Sequence, residues 1–221
     1  MNNAKESVVL DFIKDYRKLA VQISTIQWRL FFETGTTNKN HSAKHLNSIC
    51  GAAPVQMATY QVQEQIDSWI SNRANEFVDC VKGSTLPDTI KKQLYTINRR
   101  KMWFSREEIK HIEQSERALA RSIMRHVMSK HNRPDLSRLS PRLDARIATI
   151  QKPTKAIHAD LWAVLRLPNR GKIAIPLHTN DLFNKRGGQL CSVVQLCTDE
   201  RDNVTIRLMQ DMPFEAVHDH V

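Results

Sequence analysis

Apolar side chains recur along the first segment at Val9, Phe12, Tyr16, Leu19, Ile23, Ile26 and Leu30. The steps alternate between three and four, the spacing of a heptad seam, and no Gly or Pro interrupts them. The pattern predicts one long helix from about Ala4 to Phe32, ended by Thr34-Gly35-Thr36-Thr37-Asn38, with Gly35 available as its C-terminal cap. Such a stripe needs a partner helix, in this chain or in a second copy. Residues 36–53 are polar and read as a connection. Pro54 suits the first turn of a second helix running to about Cys80, with Val62, Ile66, Trp69, Arg73, Phe77 and Cys80 at helical spacing. Ser105-Arg106-Glu107-Glu108 has the form of a capping box, and Phe104 with Ile109 suits a hydrophobic staple. These signals predict a third helix from Arg106 to about Lys130, limited by Pro134. On it Ile109, Ile112, Leu119, Ile123 and Val127 share one face, and Arg106, Lys110, Arg117, Arg121 and Arg125 share the opposite one.

After residue 150 the period shortens. Leu161–Leu167 and Lys172–Leu177 read as strands joined by the turn residues Pro168-Asn169-Arg170-Gly171, with Pro176 arguing for a sheet edge. Leu190–Cys197 and Val204–Met209 read as a second hairpin, in which Val204, Ile206 and Leu208 alternate with polar neighbours. The expected fold class is therefore α+β: an N-terminal bundle of long helices followed by a small antiparallel β-barrel or sheet. The expected division is a helical region at 1–135, a connection at 136–154 and a β region at 155–221.

Composition sets the class without changing that picture. The 221 residues are 41% hydrophobic and 25% charged, enough for an ordinary core. Four scattered cysteines without a CxxC pair do not make a secreted disulfide framework. No apolar run approaches the roughly 18 residues of a membrane span, and the charged Met1–Lys14 segment is not a signal peptide. The expected setting is cytoplasmic, in association with the nucleoid.

Charge is more pointed. The net charge is +10, but residues 91–133 carry 12 basic against 4 acidic side chains, and residues 134–190 carry 10 against 4. The last 31 residues carry 2 against 6. A basic block between near-neutral and acidic flanks suggests a polyanion surface.

Enzyme signatures do not appear: there is no phosphate-binding glycine loop, no G-x-S-x-G and no H-E-x-x-H. His41, His45 and Cys50, or His218 and His220, complete no four-ligand zinc pattern, so no cofactor or metal is implied. Nucleic-acid features are better developed. Asn98-Arg99-Arg100-Lys101-Met102-Trp103-Phe104 sets three cations beside two aromatics, which suits phosphates and unpaired bases, although both rings also fit a core at the start of the third helix. The candidate nucleic-acid-binding residues are Arg99, Arg100, Lys101, Trp103, Arg106, Lys110, Arg117, Arg121, Arg125 and Lys130. Arg138, Arg142 and Arg146, spaced by four, and Lys185 with Arg186 beside Gly187-Gly188 extend the set.

The stretch from Leu143 to Met209 adds a resemblance. It contains Ala159-Asp160-Leu161-Trp162-Ala163-Val164, then Gly171-Lys172-Ile173-Ala174-Ile175-Pro176-Leu177 and Asn180-Asp181-Leu182-Phe183-Asn184-Lys185, before the hairpin Ser192–Met209. It resembles the segment preceding the nuclease domain in OrfB/TnpB-type proteins of bacterial insertion sequences, relatives of the type V CRISPR effectors. Ile26-Gln27-Trp28 in the first helix is similar to the start of some members. The resemblance implies a recognition and wedge half that holds guide RNA, RNA–DNA hybrid and target-adjacent DNA. The family's nuclease acids begin in a D-x-G strand, and no D-x-G occurs here. The expectation is thus a nucleic-acid-binding module without its own catalytic site. Its partners would be RNA or DNA, and beyond these a separate nuclease domain or a second copy through the Val9–Leu30 helix. A sequence-specific DNA-binding protein, such as a repressor or part of a recombinase, is the alternative, and a helical dimeric interaction protein the third possibility.

Overall fold

In the computed structural model, residues 3–38, 43–152, 159–178 and 189–211 are described. Helix α1 spans Asn3–Thr34, the short α2 Asn47–Cys50, α3 Ala52–Lys82, α4 Asp88–Arg99 and α5 Gln114–Ser129. The strands are β1 (Arg142–Leu143), β2 (Ala148–Gln151), β3 (Leu161–Leu167), β4 (Gly171–Leu177), β5 (Gln189–Thr198) and β6 (Val204–Asp211). They form two three-stranded antiparallel sheets, ordered β1-β5-β6 and β2-β3-β4. The α+β class holds, with a long N-terminal helix first and the sheets last, and the sheets do not close into a barrel.

Two compact units emerge. A β unit gathers Met1–Leu19, Ala43–Ala58 and Leu139–Val221, and a helical unit gathers Ala20–Ser42 and Thr59–Arg138. The boundary expected near residues 135–155 is therefore only part of the division, because α1 and α3 each contribute to both units. The stretch read as a connection, 136–154, also holds β1 and β2.

Polar side chains fasten the first half of α1 within the β unit. Lys5 Nζ donates to the Ala174 carbonyl at 2.8 Å, and Glu6 accepts from the Val204 amide at 3.2 Å. Arg17 donates to the Leu139 carbonyl at 3.1 Å and to Thr198 Oγ1 at 2.7 Å. Asp15 pairs with Arg170, the turn residue between β3 and β4. Between these bonds Val9, Phe12, Ile13, Tyr16 and Leu19 are fully buried.

The buried face of α1 is wider than the predicted seam and drifts from it. Further along the helix, Gln27, Trp28 and Phe31 are buried, whereas Ile26 and Leu30 are only partly covered. A straight helix turns every 3.6 residues, so a 3.5-residue stripe rotates by about 20° per heptad. The chain buries the 3.6-residue face, as an ordinary core helix does, and not a supercoiled seam. Gly35 caps the helix as expected: its amide donates to the Phe31 carbonyl at 2.8 Å, and its φ of +85° suits glycine.

The β3–β4 hairpin follows the sequence closely. Asn169 and Gly171 supply the left-handed residues of its turn, at φ +61° and +79°. β4 is an edge strand, the place in a sheet where a proline such as Pro176, opposite Trp162, is tolerated. In the β5–β6 turn, Asp199 accepts from the Arg201 and Asn203 amides, both at 2.8 Å. That acid shapes a turn.

Candidate nucleic-acid interface

The predicted third helix is realised differently. It begins at Gln114, not Arg106, and Glu116 accepts from the Glu113 amide at 3.0 Å as the N-terminal box. The Ser105–Glu108 motif forms no helix; Ser105 Oγ instead accepts from the Glu107 amide at 3.1 Å, a local turn. Phe104 therefore staples no helix, and packs edge-on against Phe31 and Phe32, with ring centres 5.5 and 5.1 Å apart. The helix α4, not anticipated from the sequence, precedes this loop and buries Leu94, Ile97 and Asn98. Its signal was present: Ile90, Leu94 and Ile97 have helical spacing behind Pro87-Asp88.

α4 ends with Lys101 at φ +54°, the Lys101 amide reaching the Asn98 carbonyl at 2.9 Å and the Met102 amide the Ile97 carbonyl at 3.1 Å. Lys101 Nζ then donates to Ser71 Oγ at 3.0 Å. Trp103 is 1% exposed, and its Nε1 donates to Asn98 Oδ1 at 3.1 Å. Asn98 in turn donates to the Ala74 carbonyl at 3.0 Å. Of its two readings, Trp103 therefore takes the core one, and its ring offers no face to a base.

Besides Lys101, two more of the expected phosphate ligands have internal work. Arg117 donates to the Ser105 carbonyl at 2.9 Å, and Arg121 Nε to the Trp103 carbonyl at 3.3 Å. Four helical residues rise about 6 Å, close to the reach of two extended residues. The loop thus runs antiparallel along α5, strapped to it twice. Arg99, Arg100, Arg106, Lys110, Arg125 and Lys130 are exposed and form no ion pair among the described residues. Arg99 and Arg100 also complement the C-terminal end of the α4 dipole. An open hollow of about 750 Å³ lies beside the loop, lined by residues 108–114 and Arg117. Glu108 and Glu113 offset Lys110 and Arg117 there, so the hollow is not an anion cradle.

The rest of the predicted set is not in this cluster. Arg138 is exposed in the helical unit, beyond α5. Arg142 and Arg146 belong to the β unit. Arg146 donates to Asp144 at 2.7 Å and to Gln56 Oε1 at 2.7 Å, and its hydrogen bond holds the Asp144 carboxyl below the usual range, against the upward push of burial. Lys185 and Arg186 lie outside the described residues, as do His41, His218 and His220.

Sequence reasoning missed a second cluster in the helical unit. Arg133 lies over the rings of Trp28 and Phe32, 4.8 and 5.2 Å from their centres. Its neighbour Asn132 accepts from Trp69 Nε1 at 2.8 Å, and His131 meets Glu76 at 2.7 Å. Three consecutive residues thus pin the exit of α5. Only the Trp-Arg composition signalled it, because the partners are about 60 to 100 positions apart.

Among the described residues no group of three or more His, Cys, Asp or Glu side chains is arranged to hold a metal, and no helix is long and apolar enough to cross a membrane. Comparison of the chain with protein-family models, curated proteins and solved structures found no match.

Proposed function

We propose that the chain is a nucleic-acid-binding module whose helical unit holds phosphates. The observation that carries this is the basic loop and its flanks: Arg99, Arg100, Arg106, Lys110, Arg125 and Lys130 are exposed around a segment that Arg117 and Arg121 strap to α5. Exposed guanidinium and ammonium groups that neutralise phosphates release counterions from a nucleic acid, and here the strapped backbone that carries them need not first be ordered. Arg117 and Arg121 serve as positioning residues in this scheme, and the exposed six bind the phosphates.

The test is the triple variant Arg100→Gln, Arg106→Gln and Arg125→Gln, titrated with labelled DNA and RNA at several salt concentrations. Affinity falls, and the salt slope drops by about one for each phosphate no longer neutralised. Unchanged affinity and slope would sink the proposal. The narrower version, in which the ligand is a guide RNA held in a bacterial cytoplasm, rests on the resemblance of residues 143–209. Sequencing the RNA that stays on the natively expressed protein through a salt wash tests it: one defined RNA supports it, and a mixture counts against it. In this scheme the chain has no catalytic role of its own. A dimer through the Val9–Leu30 helix is not proposed, because Val9, Phe12, Tyr16, Leu19 and Ile23 are already covered by this chain.

A further inference from the structure

Nucleic acids are held through their phosphates by cations, or through unpaired bases stacked on aromatic rings. The helical unit separates the two. Arg99, Arg100, Arg106, Lys110, Arg125 and Lys130 face solvent, while the two rings beside them in sequence, Trp103 and Phe104, are buried in the core. Two aromatic side chains of the unit are markedly exposed among the described residues, Phe32 at 38% and Tyr60 at 41%. Phe32 is stacked on Trp28 and has the Arg133 guanidinium over its ring. A base stacking there must displace that cation.

Resting on the function proposed above, we infer that this surface takes the phosphate backbone of a nucleic-acid duplex, DNA or RNA, and takes it without regard to sequence. Phosphate contacts fix register and orientation but carry no direct sequence information. A surface on which six exposed cations outnumber the exposed Glu107, Glu108 and Glu113 follows charge density, and a duplex carries one charge per roughly 1.7 Å of axis, denser than a single strand. A single strand compensates for its lower density by stacking, and the basic loop offers it no Phe, Tyr or Trp ring, only the imidazole of the exposed His111.

The experiment uses the full chain in fluorescence-anisotropy titrations. The probes are short DNA duplexes of two unrelated sequences, the matching RNA duplex and the matching single strands. The two DNA duplexes are expected to bind within about twofold of one another, and each more tightly than its single strands. With six exposed cations available, the plot of log affinity against log salt for the DNA duplexes is expected to be no steeper than about −5. Tyr60→Ala and Phe32→Ala are expected to leave single-strand affinity unchanged. A single strand that binds more tightly than its duplex overturns the inference. So does a preference of tenfold or more for one duplex sequence, or a loss of single-strand binding in Tyr60→Ala. In each of those outcomes the nucleic-acid function itself survives. No binding to any probe at low salt overturns that function instead. The DNA and RNA arms identify which duplex is preferred.

Discussion

Trp103 illustrates how a single residue can satisfy two readings until its surroundings are known. Beside Arg99, Arg100 and Lys101 it suits a stacking platform; in the fold its indole fills the interior near Phe77, with its N–H on Asn98. Trp103→Phe is expected to cost about 1 kcal/mol through the missing hydrogen bond, and Trp103→Ala about 3–5 kcal/mol through the cavity. Chemical denaturation measures both, and near-zero values would remove Trp103 from the core. The cysteines divide in the same way. Cys80 is exposed, while Cys50 is fully buried and burial pushes its thiol up to about 11. A thiolate reagent at neutral pH is expected to modify Cys80 rapidly and Cys50 only on unfolding. Mass mapping of the labelled peptides distinguishes them, and early labelling of Cys50 would contradict its placement.

At the level of elements, the start of α5 shows how two similar signals compete. Ser105-x-x-Glu108 and Glu113-x-x-Glu116 both resemble boxes, and the stronger cap residue, serine, is not the one used. Starting at Arg106 would extend helix through Ser105–Gln114, where the burial of Phe104 against Phe31 and Phe32 and the two arginine straps require a loop. Tertiary burial outweighs a cap worth about 1 kcal/mol. Glu116→Ala is accordingly expected to destabilise by about 0.5–1 kcal/mol, with amide exchange rising at the first turn of α5. Ser105→Ala should leave that turn unchanged. The junction between α2 and α3 is less forgiving. Gly51 has φ +84°, and a Cβ there would sit 2.9 Å from Pro168 Cβ and Cγ, so Gly51→Ala combines backbone strain with a clash. A loss of more than about 1 kcal/mol is expected in thermal unfolding.

For the whole molecule, carboxylates on several elements titrate in the same sense. Burial pushes the Asp15 carboxyl up, but the hydrogen bonds and charges of Arg170 and Lys18 outweigh it and hold the group low. Burial acts in the same direction on Glu76, where His131 and Arg73 prevail. Asp144 is lowered chiefly by Arg146, and Asp199 chiefly by Asn203. A carboxyl held below its ordinary value binds fewer protons folded than unfolded, so its contribution is complete above about pH 5 and is lost as pH falls through the folded pKa. The melting temperature is therefore expected to fall on the acid side of about pH 4. Arg170→Gln should be destabilised at neutral pH and converge on the parent only as pH falls through the lowered folded pKa of Asp15, below which the carboxyl is protonated in both. A gap that persists undiminished in acid would exclude the Asp15 pairing as its cause.

The sequence alone determined the kinds of element and their order, because period and turn chemistry are local. The α1 and α3 helices, the β3–β4 hairpin, the Gly35 cap and the edge position of Pro176 all follow from residues within a few positions of each other. It also located the basic block, since charge is read directly from composition. What only the tertiary structure decided is which of those cations and rings are free. The straps from Arg117 and Arg121, the burial of Trp103, the Arg133 contact with Trp28 and the assignment of the first half of α1 to the β unit depend on partners 12 to more than 150 residues apart. Such contacts have no local pattern, because they form wherever burial of apolar surface brings distant segments together and the enclosed polar groups must then find partners.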